Sequence, residues 1–321
     1  MSSPPPPPPA EAEAEGETRD WSEMPTDALA AVFGKLDAAE LLTGAGLVCR
    51  AWHRLAATDP TLWRRVDMSD QGDLLETEAM ARAAVDRAAG TMEAFWADTF
   101  VTNNLLLYMS QRASSLKSLQ LSLCHMVSNE GFSEAIKGFS ELEELDITFC
   151  SLYGSVCEAI GKACPQLKCF RLNERWTILH SEYLDGLDDD TEALGIASTM
   201  PGLQDLQLIG NNITNDGLMA ILDCCPHLKS LDIRQCYNIQ LDDALKSKCA
   251  RIRNLKLPYD PISDFKFRAC ILSSVANSGS NFEVDMMDDL LDVVTEDDDA
   301  DFDDVDDFED DAGMFDDEFD I

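Results

Sequence analysis

Residues 142–150 read LEELDITFC, a leucine, an alternating core and a closing cysteine. Leu145 and Ile147 alternate with Glu144, Asp146 and Thr148. That period of two buries one face of a β-strand and leaves the other polar. The template Leu-x-x-Leu-x-Leu-x-x-Asn/Cys returns at Leu116, Leu119, Leu121, Cys124. It returns again at Leu203, Leu206, Leu208, Asn211 and at Leu228, Leu231, Ile233, Cys236. Weaker copies are Leu167, Phe170, Leu172 and Ile252, Leu255, Leu257, with Arg175 and Asp260 in the polar slot. Degenerate copies run through Met92, Phe95, Ala97 and Trp63, Val66, Met68. First positions fall at 63, 92, 116, 142, 167, 203, 228 and 252, giving intervals of 29, 24, 26, 25, 36, 25 and 24.

A period near 25 residues with this pattern predicts a leucine-rich-repeat solenoid of seven to eight units over 67–270. The class is α/β: a parallel sheet with outer helices. Each strand is followed by an amphipathic segment such as Asp216–Leu222, and only the next unit can cover the apolar flanks. The slot after the strand takes Asn, which satisfies backbone groups, or Cys, a small hydrophobe with a weak donor. The 36-residue interval holds about 11 extra residues, placing a loop within Glu174–Asp190. Beyond Tyr259 the pattern stops, and FKFRACILSSVANSGSN is ambiguous between a terminal cap and a linker.

Upstream, residues 19–66 read as three short helices. Pro25 suits a first helical turn, where a missing N–H costs nothing. Leu29, Val32, Phe33 and Leu36 fall at i, i+3, i+4 and i+7. Asp37 and Glu40 have capping-box spacing for a second helix, bearing Leu41 and Leu42. Val48, Trp52 and Leu55 form the apolar side of a third, and Asp59-Pro60 restarts a turn ending in Leu62 and Trp63. So small a unit buries little area alone and needs its neighbour.

These residues resemble an F-box: Met24-Pro25 for the usual Leu-Pro, Leu29 to Leu36, then Val48-Cys49-Arg50-Ala51-Trp52 and a closing Leu62-Trp63. With the repeats, the layout from about Arg19 to Pro258 is similar to plant F-box/leucine-rich-repeat proteins. The resemblance implies a non-catalytic substrate receptor of an SCF ubiquitin ligase. Its F-box would dock on a Skp-type adaptor, and through it on a cullin–RING ligase, while the repeats hold a protein substrate. By position, Pro25, Leu29, Leu36, Leu41, Leu42, Val48, Trp52 and Leu62 would form the adaptor face or the core behind it. The sequence does not divide them.

Charge narrows the partners. The chain has 61 acidic and 24 basic residues, net −37. That excludes coating of nucleic acid, which needs clustered Lys and Arg, and docking on an anionic membrane. From Asp285 to Ile321 there are 20 acidic residues and no Lys or Arg, so more than half the charge sits there. Such a stretch cannot build a core, and 271–321 reads as linker and disordered acidic tail. The tail fits a solubilising extension, a competitor for basic surfaces, or a segment that folds on binding through its Phe residues. Residues 1–18, with six consecutive prolines, read as a disordered leader. No start signal or apolar run directs the chain to a membrane or an oxidising compartment, so nucleus or cytoplasm with reduced thiols is expected. Eleven cysteines without Cys-x-x-Cys spacing and four histidines give no zinc pattern, and no cofactor or catalytic constellation stands out.

Strand parity marks the face for a substrate. Positions flanking the buried pair include Trp96, Arg171 and Arg234. Aromatics and Arg are the usual interface anchors. Equally, Arg171 and Arg234 can offset Asp146, Asp205 and Asp232 on neighbouring strands. A second class of function also fits: an acidic-tailed leucine-rich chaperone or inhibitor of histones or other basic proteins, which would not require the helical unit.

Overall fold

The computed structural model describes residues 21–69, 76–174 and 190–267. The expectations for the leader 1–18, the middle of the Glu174–Asp190 loop and the acidic tail fall outside them. All described residues belong to the compact unit Met1–Ser278.

Three helices open the chain: α1 (Thr26–Phe33), α2 (Ala38–Thr43) and α3 (Arg50–Thr58). Gly34 ends α1, so Leu36 lies beyond the helix and the expected four-residue face is cut short. The capping box of α2 forms as spaced: Asp37 Oδ1 accepts from Glu40 N–H at 2.7 Å and Glu40 Oε2 from Asp37 N–H at 3.0 Å. Val48 precedes α3 rather than lying on it. Trp52 stacks edge-on against Phe33, 5.4 Å between centroids, and its indole N–H reaches Trp21 O at 3.0 Å.

A short turn, Pro60–Trp63, leads into β1 (Arg65–Met68). Strand and helix then alternate: α4 (Thr77–Ala88), β2 (Ala94–Asp98), α5 (Asn103–Ser110), β3 (Ser118–Ser122), α6 (Asn129–Ala135), β4 (Glu144–Thr148) and α7 (Val156–Ala163). They continue as β5 (Cys169–Asn173), α8 (Thr191–Thr199), β6 (Asp205–Gln207), α9 (Asn215–Cys224), β7 (Ser230–Asp232), α10 (Asp243–Cys249) and β8 (Asn254–Lys256). The eight strands form one parallel sheet in sequence order. Even the degenerate copies at residues 63 and 92 deliver true strands.

Register explains the template. Val66, Phe95, Leu119, Leu145, Phe170, Leu206, Leu231 and Leu255 stand opposite one another across the sheet. All but Leu255 are buried against the helices. Each such side chain stabilises by about 1.5–3 kcal/mol. The polar slot works as its chemistry predicts. Cys124, Cys150 and Cys236 donate their thiols to Ser122 O at 3.3 Å, Leu121 O at 3.3 Å and Leu208 O at 2.8 Å. Asn211 Oδ1 accepts from Ile213 N–H at 3.1 Å. Helices start on side-chain caps, Thr102, Ser128 and Asp242 among them, each worth about 1 kcal/mol. Close helix packing is visible at Gly161, where a Cβ would lie 1.9 Å from Thr199 Oγ1.

Candidate functional site

The first candidate is the surface of the helical unit. Burial divides the eight residues that the sequence left undivided. Leu29 and Leu41 are core, with Leu41 only 2% exposed. Leu36, Leu42, Trp52 and Leu62 are half-buried and pack against that core. Pro25 and Val48 face solvent. Beside them stand Leu47 and Trp21, which sequence reasoning did not single out, and Val32, which it placed on one helix face with Leu29 and Phe33. Leu47 is 68% exposed, Val48 58% and Val32 45%, and Trp21 is also exposed. The signal for Leu47 was its place beside Val48, outside any helical period. A small unit that leaves several large apolar side chains in water is built to be covered.

Trp63 does something else. It is fully buried, donates its indole N–H to Ala56 O at 2.8 Å, and carries Arg87 of α4 over its ring at 5.1 Å. The motif's closing tryptophan therefore ties the helical unit to the first repeat.

The second candidate is the sheet face away from the helices. Trp96 lies there half-buried, with its indole N–H 3.2 Å from Ser118 Oγ and the Arg65 guanidinium 5.3 Å over its ring. Arg171 is part-exposed, 3.8 Å from Asp146. Burial pushes the Asp146 carboxyl up, while the Thr148 hydroxyl and the charges of Arg171 and Lys266 hold it back. Arg234 departs from expectation. It is 1% exposed and cannot serve as an open anchor. Its guanidinium grips Asp232 through Nε at 2.9 Å and a terminal nitrogen at 2.7 Å, then bonds Pro261 O at 2.6 Å and Asp264. The reason is non-local: residues after β8 return and cover it. Asp264, paired with Lys256 and Arg234, is held well below the usual carboxylate range. The three residues Trp96, Arg171 and Arg234 thus do not form one exposed group.

Side-chain hydrogen bonds cross this face from β4 to β7. Thr148 donates to Asp146 at 2.7 Å, Asn173 to Thr148 at 2.9 Å and Gln207 at 3.1 Å, and Gln207 to Asp232 at 3.1 Å. A wholly satisfied chain of this kind fixes strand register.

At the strand ends the backbone turns left-handed: Thr99 (φ 60°), Leu123 (φ 57°), Phe149 (φ 56°), Gly210 (φ 69°) and Gln235 (φ 64°). Glycine takes this turn freely, whereas bulky residues store about 1–3 kcal/mol each. Leu123 and Phe149 nonetheless hold it, and their side chains join Ile209 in a small apolar cluster separate from the main core.

A three-helix unit with exposed apolar side chains, joined directly to a leucine-rich-repeat solenoid, defines the class of F-box proteins with repeat domains. The F-box-like family model matches residues 21–69 and a leucine-rich-repeat model residues 201–222. Among Arabidopsis thaliana proteins, F-box/LRR-repeat protein 23 is 39% identical over 82% of this chain and 59% of its own length. F-box/LRR-repeat protein 22 is 39% identical over 83% of this chain and 86% of its own. The F-box protein SKIP19 is 37% identical over 78% of this chain and 80% of its own. This chain spans about three-fifths of the first of these relatives and more than three-quarters of the other two. The chain belongs to the F-box/LRR-repeat family.

Proposed function

We propose that this protein is the non-catalytic substrate-recognition subunit of an SCF ubiquitin ligase, acting in the nucleus or cytoplasm. The F-box docks on a Skp-type adaptor that links to a cullin–RING ligase, and the repeats hold the protein to be ubiquitinated. The observation that carries this reading is the exposure of Leu47, Val48 and Val32 around a buried Leu29–Leu41 core. That arrangement keeps the unit folded while offering apolar surface to a partner. On the sheet, Trp96 with Arg65 above it is the open anchor nearest the F-box.

The acidic chaperone reading draws on the 20 acidic residues after Val284 but leaves the F-box without a task. Affinity purification of the full chain, scored by mass spectrometry for the Skp adaptor and a cullin, tests the two. Recovery of both supports the receptor. Recovery of histones alone overturns it.

A further inference from the structure

After β8 the chain turns at Pro258–Asp260, where Leu257 N–H bonds Asp260 Oδ2 at 2.7 Å. Residues 261–267 then run back over the strand ends. Pro261 and Asp264 meet Arg234 beyond β7, and Asp264 meets Lys256 of β8 at 2.5 Å. Ile262, Phe265 and Phe267 pack on Leu123, Phe149 and Ile209. The rings of Phe265 and Phe267 stand edge-on to Phe149 at 6.3 and 5.9 Å. Lys266 reaches β2, its Nζ 3.9 Å from Asp98 Oδ2. One seven-residue segment therefore crosses the sheet from β8 to β2.

We propose that this apolar floor, with Asp98 at one end and Arg234 and Lys256 at the other, is a peptide-binding groove, filled here by the chain's own Phe265-Lys266-Phe267. Its exchangeable ligand is a segment of a basic protein in which aromatic residues flank a Lys or Arg. Three observations carry this. The floor is built at a conformational cost that recurs along the repeats: Leu123 and Phe149 occupy the left-handed turn that Thr99 and Gln235 also take and Gly210 takes freely, and they are the two that place large apolar side chains in the floor. Strain of that kind collects at ligand sites. Next, apart from the Pro261 carbonyl, which accepts from Arg234, the contacts that hold the segment on the sheet are made by its side chains. Phe265 N–H returns to Ile262 O of its own turn at 2.9 Å, and among the described residues no strand pairs with the segment. Phe265 and Phe267 stay half-exposed while docked. Such a plug can leave without breaking the sheet. Finally, charge bears on the ligand: Asp98 Oδ2 faces the docked Lys266 at 3.9 Å.

The inference rests on the receptor reading only in calling the ligand a substrate segment. The test uses the full chain and a fluorescent peptide with the sequence of Tyr259–Arg268, followed by polarisation. A tethered plug competes at an effective concentration in the millimolar range. The full-chain variant Phe265→Ala/Phe267→Ala is therefore expected to bind the peptide at least tenfold more tightly than the natural chain. Adding Phe149→Ala should cancel the gain, and a peptide carrying Lys266→Glu should bind at least tenfold more weakly. Phe149 lies outside the main core, and matching circular dichroism melts establish that each variant folds. Equal affinity for natural and opened chains, no saturable binding to the opened chain, or indifference to Phe149→Ala would each overturn the groove. Adaptor capture is read in the same samples. Capture without peptide binding removes the groove alone, and peptide binding without capture removes the receptor reading alone.

Discussion

Replacing Leu47 and Val48 together by aspartate separates docking from folding. Covering a leucine or valine completely is worth about 1.5–3 kcal/mol. Leu47 leaves 68% and Val48 58% of its surface in water. Burying those fractions under an adaptor yields about 1–2 kcal/mol for each side chain. Two aspartates forfeit both, a loss of about 2–4 kcal/mol, or a dissociation constant raised roughly 30- to 700-fold. The fold should not notice, since surface changes stay within about 0.5 kcal/mol. Leu41→Ala is the converse, a core truncation costing about 2–5 kcal/mol in stability. Titration calorimetry against a purified Skp adaptor, with a thermal melt of each variant, reads both quantities. If Leu47→Asp/Val48→Asp binds within threefold of the natural chain, the exposed pair is not the docking surface, and the assignment of the adaptor face fails.

Trp63→Ala should destabilise by about 3–5 kcal/mol, as loss of a buried aromatic does. Because the ring joins α3 to α4, denaturant unfolding should show the F-box and first repeats melting apart; a single unchanged transition would refute that coupling. Arg234→Ala should cost about 3–5 kcal/mol, since buried Asp232 loses its guanidinium partner and keeps only the Gln207 amide and Lys256 at 3.6 Å, and adding Asp232→Asn should recover much of it by the same chemical denaturation; a loss under 1 kcal/mol would show that the pair is dispensable. Burial pushes the Cys164 and Cys236 thiols up to about 12 and Cys225 to about 11, so they stay protonated and unreactive at pH 8. Among the described cysteines, alkylation mapped by mass spectrometry should label exposed Cys224 first, and early labelling of Cys236 would contradict the buried slot.

Local chemistry was legible in the sequence. The period of two at Leu145 and Ile147 is dictated by the pleat, so every strand could be placed, down to the degenerate Trp63–Met68 copy. The Asp37–Glu40 capping box was equally legible, because it closes within one turn. Non-local chemistry was not. Nothing in the spacing around Arg234 reveals that residues 261–267 fold over it, since that contact joins parts of the chain about 30 residues apart. The same blindness hid the groove, whose floor depends on left-handed turns that leucine and phenylalanine rarely take. Leu47 escaped for a different reason: exposure, not pattern, marks it.

Trp63 and the turn Pro60–Trp63 leave one residue, Arg64, before the first strand begins. Among the described residues, Arg64 alone separates the helical unit's last turn from the sheet, so on the proposed reading the adaptor-binding unit runs into β1 without an intervening loop. Strands advance by about 4.8 Å each, so under the proposed receptor function the repeats would act as a graduated arm with its zero mark at the adaptor. Under that function, the choice of strand on which a substrate rests would set, in steps of one strand, where its lysines hang, and any further slack would come from the substrate or from the scaffold at the other end.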